Sequence, residues 1–84
     1  MKFINLETTQ VKSAIKKIGT SNIIEIIEEG LMPEADILIC RYKGKNLNIK
    51  IDLAYGAEIC PVDSFSPQEI KDLEDSIVAN VFTN

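Results

Sequence analysis

Three residues near the middle of the chain, Lys50, Asp52 and Glu58, come closest to a chemical constellation. Acid-acid-lysine sets hold divalent ions in some nucleases, with two acids on adjoining strands and a lysine just beyond the second. Here the lysine precedes Asp52, and Cys60 occupies the place two after Glu58. The order is wrong for that chemistry, so these charges read as solvated strand and loop groups. A metal-dependent nuclease built on Asp52 and Glu58 ranks third among the functional readings.

Other chemistry is largely excluded by what the chain lacks. There is no histidine, the side chain most often used for proton transfer near neutral pH. Its absence removes Ser-His and Cys-His nucleophiles and His-ligated zinc. The two cysteines, Cys40 and Cys60, form neither a CxxC pair nor a dense disulfide framework, and reduced core thiols are expected. No phosphate-binding glycine loop or EF-hand pattern is present, and the four glycines are scattered. No catalytic residue, metal or cofactor is therefore expected.

Charge is the one asymmetry. Residues 1–50 carry eight bases and six acids, +2 net; residues 51–84 carry Lys71 against seven acids, −6 net. Glu69, Asp72 and Asp75 recur at i, i+3 and i+6, a spacing that shares one helix face. With Glu58 and Asp63 just before them they are the expected partner-binding residues, forming a negative surface that steers a basic protein. The leading reading is a non-enzymatic acidic binding protein. Its concrete form is an immunity or antitoxin-type inhibitor docked on a basic, nuclease-like toxin. A small regulatory or assembly domain acting as a homodimer is the alternative, because the hairpin described below keeps Ile37 and Ile39 on its second face. Direct nucleic-acid binding is not expected. A helix-turn-helix over 8–29 would place Glu25, Glu28 and Glu29 on its second helix, against the phosphate charge.

These residues must be positioned by one small domain, 1–84, of α+β class. At 45% hydrophobic the chain can fill a core without staples. The N-terminal residues show no apolar signal region, and no run approaches the roughly 20 residues that cross a bilayer. A cytoplasmic protein without membrane contact is expected.

Residues 1–6 suggest a short edge strand. From Thr8, the apolar positions Val11, Ala14, Ile15 and Ile18 predict a helix, with Gly19 as a left-handed cap. Asn22 and Glu25 have capping-box spacing, and 23–29 reads as a second short helix ending at Gly30. Its four isoleucines keep a strand open as the alternative. The central signal is a β-hairpin over about 36–42 and 47–53, with a two-residue loop at Gly44-Lys45 or Lys43-Gly44. Either loop places Leu38, Cys40, Tyr42, Leu47, Ile49 and Ile51 on one face. A short third strand is expected over 58–60. The last helix, about 67–82, is marked by Ser66 as cap, Pro67 at N1, Glu69 at N3, and a Phe65/Ile70 staple. Such a helix can close over the hairpin's apolar face, which a two-stranded ribbon cannot bury alone.

Overall fold

The computed structural model describes residues 2–19 and 23–81. After a 3-10 turn at Phe3–Asn5 come helix α1 (Thr8–Gly19), strands β1 (Ile24–Leu31), β2 (Ala35–Tyr42), β3 (Lys45–Asp52) and β4 (Gly56–Pro61), and helix α2 (Pro67–Val81). The strands form one antiparallel meander in the order β1-β2-β3-β4. One core holds the fold together. It takes Leu38, Cys40, Tyr42, Leu47, Ile49 and Ile51 from the central hairpin, with Val11, Ala14 and Ile15 of α1 and Leu73 and Ile77 of α2. Because the strand residues share one side-chain parity, both helices lie on the same face of the sheet. The class is α+β, as the sequence predicts.

The hairpin's apolar face is the expected one, and its loop is the second of the two expected. Tyr42 pairs with Lys45, Cys40 with Leu47, and Leu38 with Ile49. Lys43 and Gly44 form the loop, with φ of 53° and 80°. Positive φ at both central residues is the type I′ pattern, whose twist matches that of the flanking strands. Moving the loop by one residue shifts each cross-strand sum by two, which preserves every face. Leu53, expected to end β3, instead lies in the β3–β4 turn. The strand expected over 58–60 is β4, longer than expected, and it ends at Pro61, on the sheet edge where a missing N–H is harmless.

The second N-terminal helix is a strand. Residues 24–31 pair with β2 across their whole length, and a β-bulge falls between Ile26 and Glu28. This bulge explains the misleading periodicity. Ile24 and Ile26 point to the core at strand spacing, and the extra residue, Ile27, then resets the phase. Two Ile-Ile pairs three apart thus imitate a helical stripe, and β-branching favours the extended form. After the bulge, Glu29 turns to the helix side, where Lys12 Nζ of α1 lies 2.6 Å from its carboxylate. The expected helical hairpin over 8–29 is therefore a helix followed by an edge strand. Asn22, its proposed cap, lies outside the described residues, as does Phe82 of the last helix.

Two smaller expectations also change. Residues 3–5 form the 3-10 turn rather than an edge strand, with Phe3 and Leu6 anchored in the core. Gly19 is the final helical residue of α1 and has no positive φ.

At α2 the local signals translate directly into contacts. Ser66 Oγ accepts the Glu69 N–H at 3.1 Å, and Glu69 Oε1 accepts the Ser66 N–H at 2.9 Å. This reciprocal box satisfies two donors that the first helical turn would otherwise leave open. Replacing Ser66 with alanine is expected to cost about 1 kcal/mol, read as a lower urea midpoint at unchanged slope.

Candidate functional site

The five expected partner-binding carboxylates do not form one surface. Glu58 lies on β4 opposite Lys50 and next to Ala57, whose side chain enters the core. Its own side chain therefore projects from the helix-free face, on the far side of the sheet from α2. Asp63 accepts the Asn46 N–H at 2.7 Å, and the Asp63 N–H donates to Asn46 O at 3.0 Å, so this carboxylate fastens the end of β3 to the loop. Glu69 serves the capping box and sits 3.8 Å from Lys45 Nζ, whose ammonium also donates to Ser64 O at 2.8 Å. Only Asp72 and Asp75 remain as an exposed pair on α2. Each has a local partner: Gln68 Nε2 at 2.7 Å from Asp72 and Lys71 Nζ at 3.6 Å from Asp75. The sequence spacing of these groups hid the tertiary role of Lys45.

Lys45 belongs to a small cluster with no sequence signature. The Tyr42 and Phe65 rings stack at 6.1 Å between centroids, Lys45 Nζ lies 5.0 Å from the Phe65 ring, and Lys43 Nζ lies 5.3 Å from the Tyr42 ring. Cation–π attraction of this kind ties the hairpin to the entry of α2. Phe65 thereby links the entry of its helix to the hairpin.

Lys50, Asp52 and Glu58 do share the helix-free face, since Lys50 pairs with Glu58 and Asp52 with Gly56. Asp52 is committed elsewhere, however. Its Oδ1 accepts the Ala54 N–H at 2.7 Å and the Tyr55 N–H at 3.0 Å, closing the β3–β4 turn. Among the described residues no group of three potential ligands converges to hold a metal. Cys40 is buried on the core face, and burial pushes its thiol up to about 12, so it is inert. Cys60 lies on the other face of the sheet and is also held above its ordinary value, first by burial and then by the Glu58 carboxylate. Both thiols are free.

The Ala54 N–H first, then the Tyr55 N–H, hold Asp52 below its usual range. The Ser66 N–H does the same for Glu69, with lesser help from Lys45. A carboxylate whose folded pKa is depressed stabilises the fold fully above its unfolded pKa, and that stabilisation fades as pH falls toward the folded value. Stability should therefore drop on the acid side of the ordinary carboxylate range. The Asp52→Asn variant, which keeps an acceptor but no charge, should show a shallower acid limb in urea midpoints measured against pH. An identical limb would show that Asp52 does not contribute.

The feature that sequence reasoning missed lies at one end of the molecule. Leu31 (77% exposed), Leu53 (85%) and Tyr55 (82%) project into solvent there with Met32 and Ile4. The two turns that carry them are joined. The Met32 N–H donates to Ala35 O at 3.0 Å, and the Leu53 N–H donates to Glu34 O at 3.1 Å. Ile4, from the 3-10 turn, closes over Gly56 at the start of β4, whose φ is 86°. Between these segments runs an open groove of about 640 Å³, lined by Ile4, Met32, Leu53 and Tyr55. A signal was present in the sequence: Leu31-Met32-Pro33 and Leu53-Ala54-Tyr55-Gly56 are apolar where turns are ordinarily polar. What alternation could not show was that the two turns meet.

No helix among the described residues is long and apolar enough to cross a membrane. Comparison with models of known protein families, with characterised proteins and with solved structures finds no match to this chain.

Proposed function

We propose that this chain is a non-enzymatic protein-binding module. The observation that carries the reading is the apolar end, where five large side chains from three separate segments stand in solvent together. A folded chain gains nothing from leaving such a cluster uncovered, and contiguous apolar surface of this kind marks interaction sites. The concrete role is that of a neutralising protein of the immunity or antitoxin type, seated on a basic, nuclease-like partner. The acidic sign of residues 51–84 and the exposed Asp72 and Asp75 support that version.

The test is capture from a native lysate with tagged wild type and two variants. Leu31→Ser with Leu53→Ser strips the apolar end, and Asp72→Lys with Asp75→Lys reverses the α2 charge. Glu69 is left intact because its loss would uncap the helix. A partner retained by wild type and lost from the first variant is the expected outcome. The same proteins recovered with all three would remove the reading.

Self-association is a second reading, favoured by the helix-free face of the sheet. There Ile37 pairs with Lys50 and Ile39 with Asn48, leaving two half-buried isoleucines that no helix of the described residues covers. Sedimentation equilibrium over a wide concentration range decides it, and a monomer throughout would dismiss it.

A further inference from the structure

We infer that the groove at the apolar end takes a segment of a partner protein in which apolar side chains alternate with lysine or arginine. This deepens the binding-module reading and rests on it. The apolar lining supplied by Ile4, Met32, Leu53 and Tyr55 calls for aliphatic or aromatic contacts. The charge comes from the rest of the lining: Glu7, Asp36 and Asp52 line the groove, and no lysine or arginine does. Glu34 adds a fourth carboxylate in the β1–β2 turn. Lys50 stands two residues up β3, paired with Glu58, and its charge also reaches Asp52.

Two of these carboxylates are fixed in place and still have an oxygen to offer. Asp36 Oδ2 accepts the Thr8 hydroxyl at 2.6 Å, while its other oxygen has no partner among the described residues. Asp52 Oδ1 takes both turn N–H groups, leaving Oδ2 likewise open. A carboxylate oriented by one oxygen presents the other without further loss of side-chain freedom, which is the arrangement that favours a charge-assisted bond to an ammonium or guanidinium. The exposed Tyr55 ring is a second acceptor for such a cation.

The same charges argue against the other occupants. A second copy docked end to end would set Glu7, Glu34, Asp36 and Asp52 against their own equivalents, and like charges across an interface repel. An anionic lipid surface or a nucleic-acid backbone meets the same repulsion. A neutral apolar peptide would leave the carboxylates desolvated and unpaired.

The test uses the full chain, labelled with ¹⁵N, and three synthetic twelve-residue peptides of leucine with lysine, leucine with glutamate, and serine with lysine. Amide shifts at Ile4, Met32, Leu53 and Tyr55 are expected with the leucine-lysine peptide alone. Asp36→Asn with Asp52→Asn leaves an acceptor for all three internal hydrogen bonds and should weaken that binding about fivefold, the scale of exposed ion pairs. Glu25→Gln with Glu28→Gln, on β1 and outside the groove, should leave it unchanged. Equal binding of the leucine-glutamate peptide at this end overturns the charge inference while leaving the docking reading standing. Shifts centred on α2, or concentration-dependent shifts at this end without peptide, overturn the groove as the site for a basic segment. If no peptide perturbs this end, and partner capture survives the loss of Leu31 and Leu53, inference and reading fall together.

Discussion

Gly56→Ala is expected to lower stability by about 3 kcal/mol, combining a left-handed backbone penalty with overpacking. For a domain of this size that corresponds to a fall in Tm of roughly 12–24 °C. Gly56 has a φ of 86°, and a Cβ there would press into the backbone carbonyl of Ile4, with the Ile4 side chain close behind. The turn at Phe3–Asn5 would have to lift away from β4. Because Phe3 and Leu6 are buried on either side of Ile4, the disturbance reaches the core. Gly44→Ala is the control. Its φ is 80°, nearly the same, but a Cβ at Gly44 meets nothing within 4 Å. That variant should show the conformational penalty alone, about 1 kcal/mol. The gap between the two midpoints then measures the contact of the N-terminal turn with β4. Equal losses would mean that this contact contributes nothing. The groove should suffer as well, since Ile4 forms one of its walls.

The second large effect is expected at Ile49. This residue is fully buried at the centre of β3, paired with Leu38 on one side and Ile59 on the other. Truncation to alanine removes three carbon positions from a close-packed layer between sheet and helices. Losses of about 2–5 kcal/mol follow from such deletions, depending on how far the walls relax. Set against a total of roughly 5–15 kcal/mol for a small domain, the variant would be marginal. Ile39→Ala tests whether the position or the residue type matters. Ile39 lies on β2 with its side chain on the helix-free face, only half-buried, and its loss should cost about 1 kcal/mol. Urea unfolding of both variants checks the contrast. Comparable losses would indicate that the helix-free face is covered in solution, which would favour self-association.

Several features of this fold were legible along the chain because their causes are local. Ser66, Pro67 and Glu69 mark the start of α2 through atoms within one helical turn, and the capping bonds form there. The alternation in 36–42 and 47–53 specifies which side chains are inward, and that assignment survives a displaced loop because the strand period is two. The α1 stripe behaves likewise: Val11, Ala14 and Ile15 are all buried.

Residues 23–29 show where local reading fails. Their helical appearance arises from one extra residue at Ile27, and a bulge can be recognised only from the partner strand that it fails to match. The expected acidic surface fails for a related reason. Proximity along the chain placed Glu58, Asp63 and Glu69 with Asp72 and Asp75. The sheet then puts Glu58 on the opposite face, and the β3 residues Asn46 and Lys45 engage Asp63 and Glu69.

By itself, then, the amino-acid order determined the α+β class, the inward face of the central hairpin, both helices and the N-terminal cap of the second, and the absence of histidine chemistry. Tertiary structure alone decided which carboxylates are engaged in holding the fold, and that Ile4, Leu31, Met32, Leu53 and Tyr55 meet at one end. Secondary structure follows from periodicities of two and 3.6 residues read along a few turns of chain. A surface is assembled from segments far apart in sequence, so it exists only once the sheet has set their spacing.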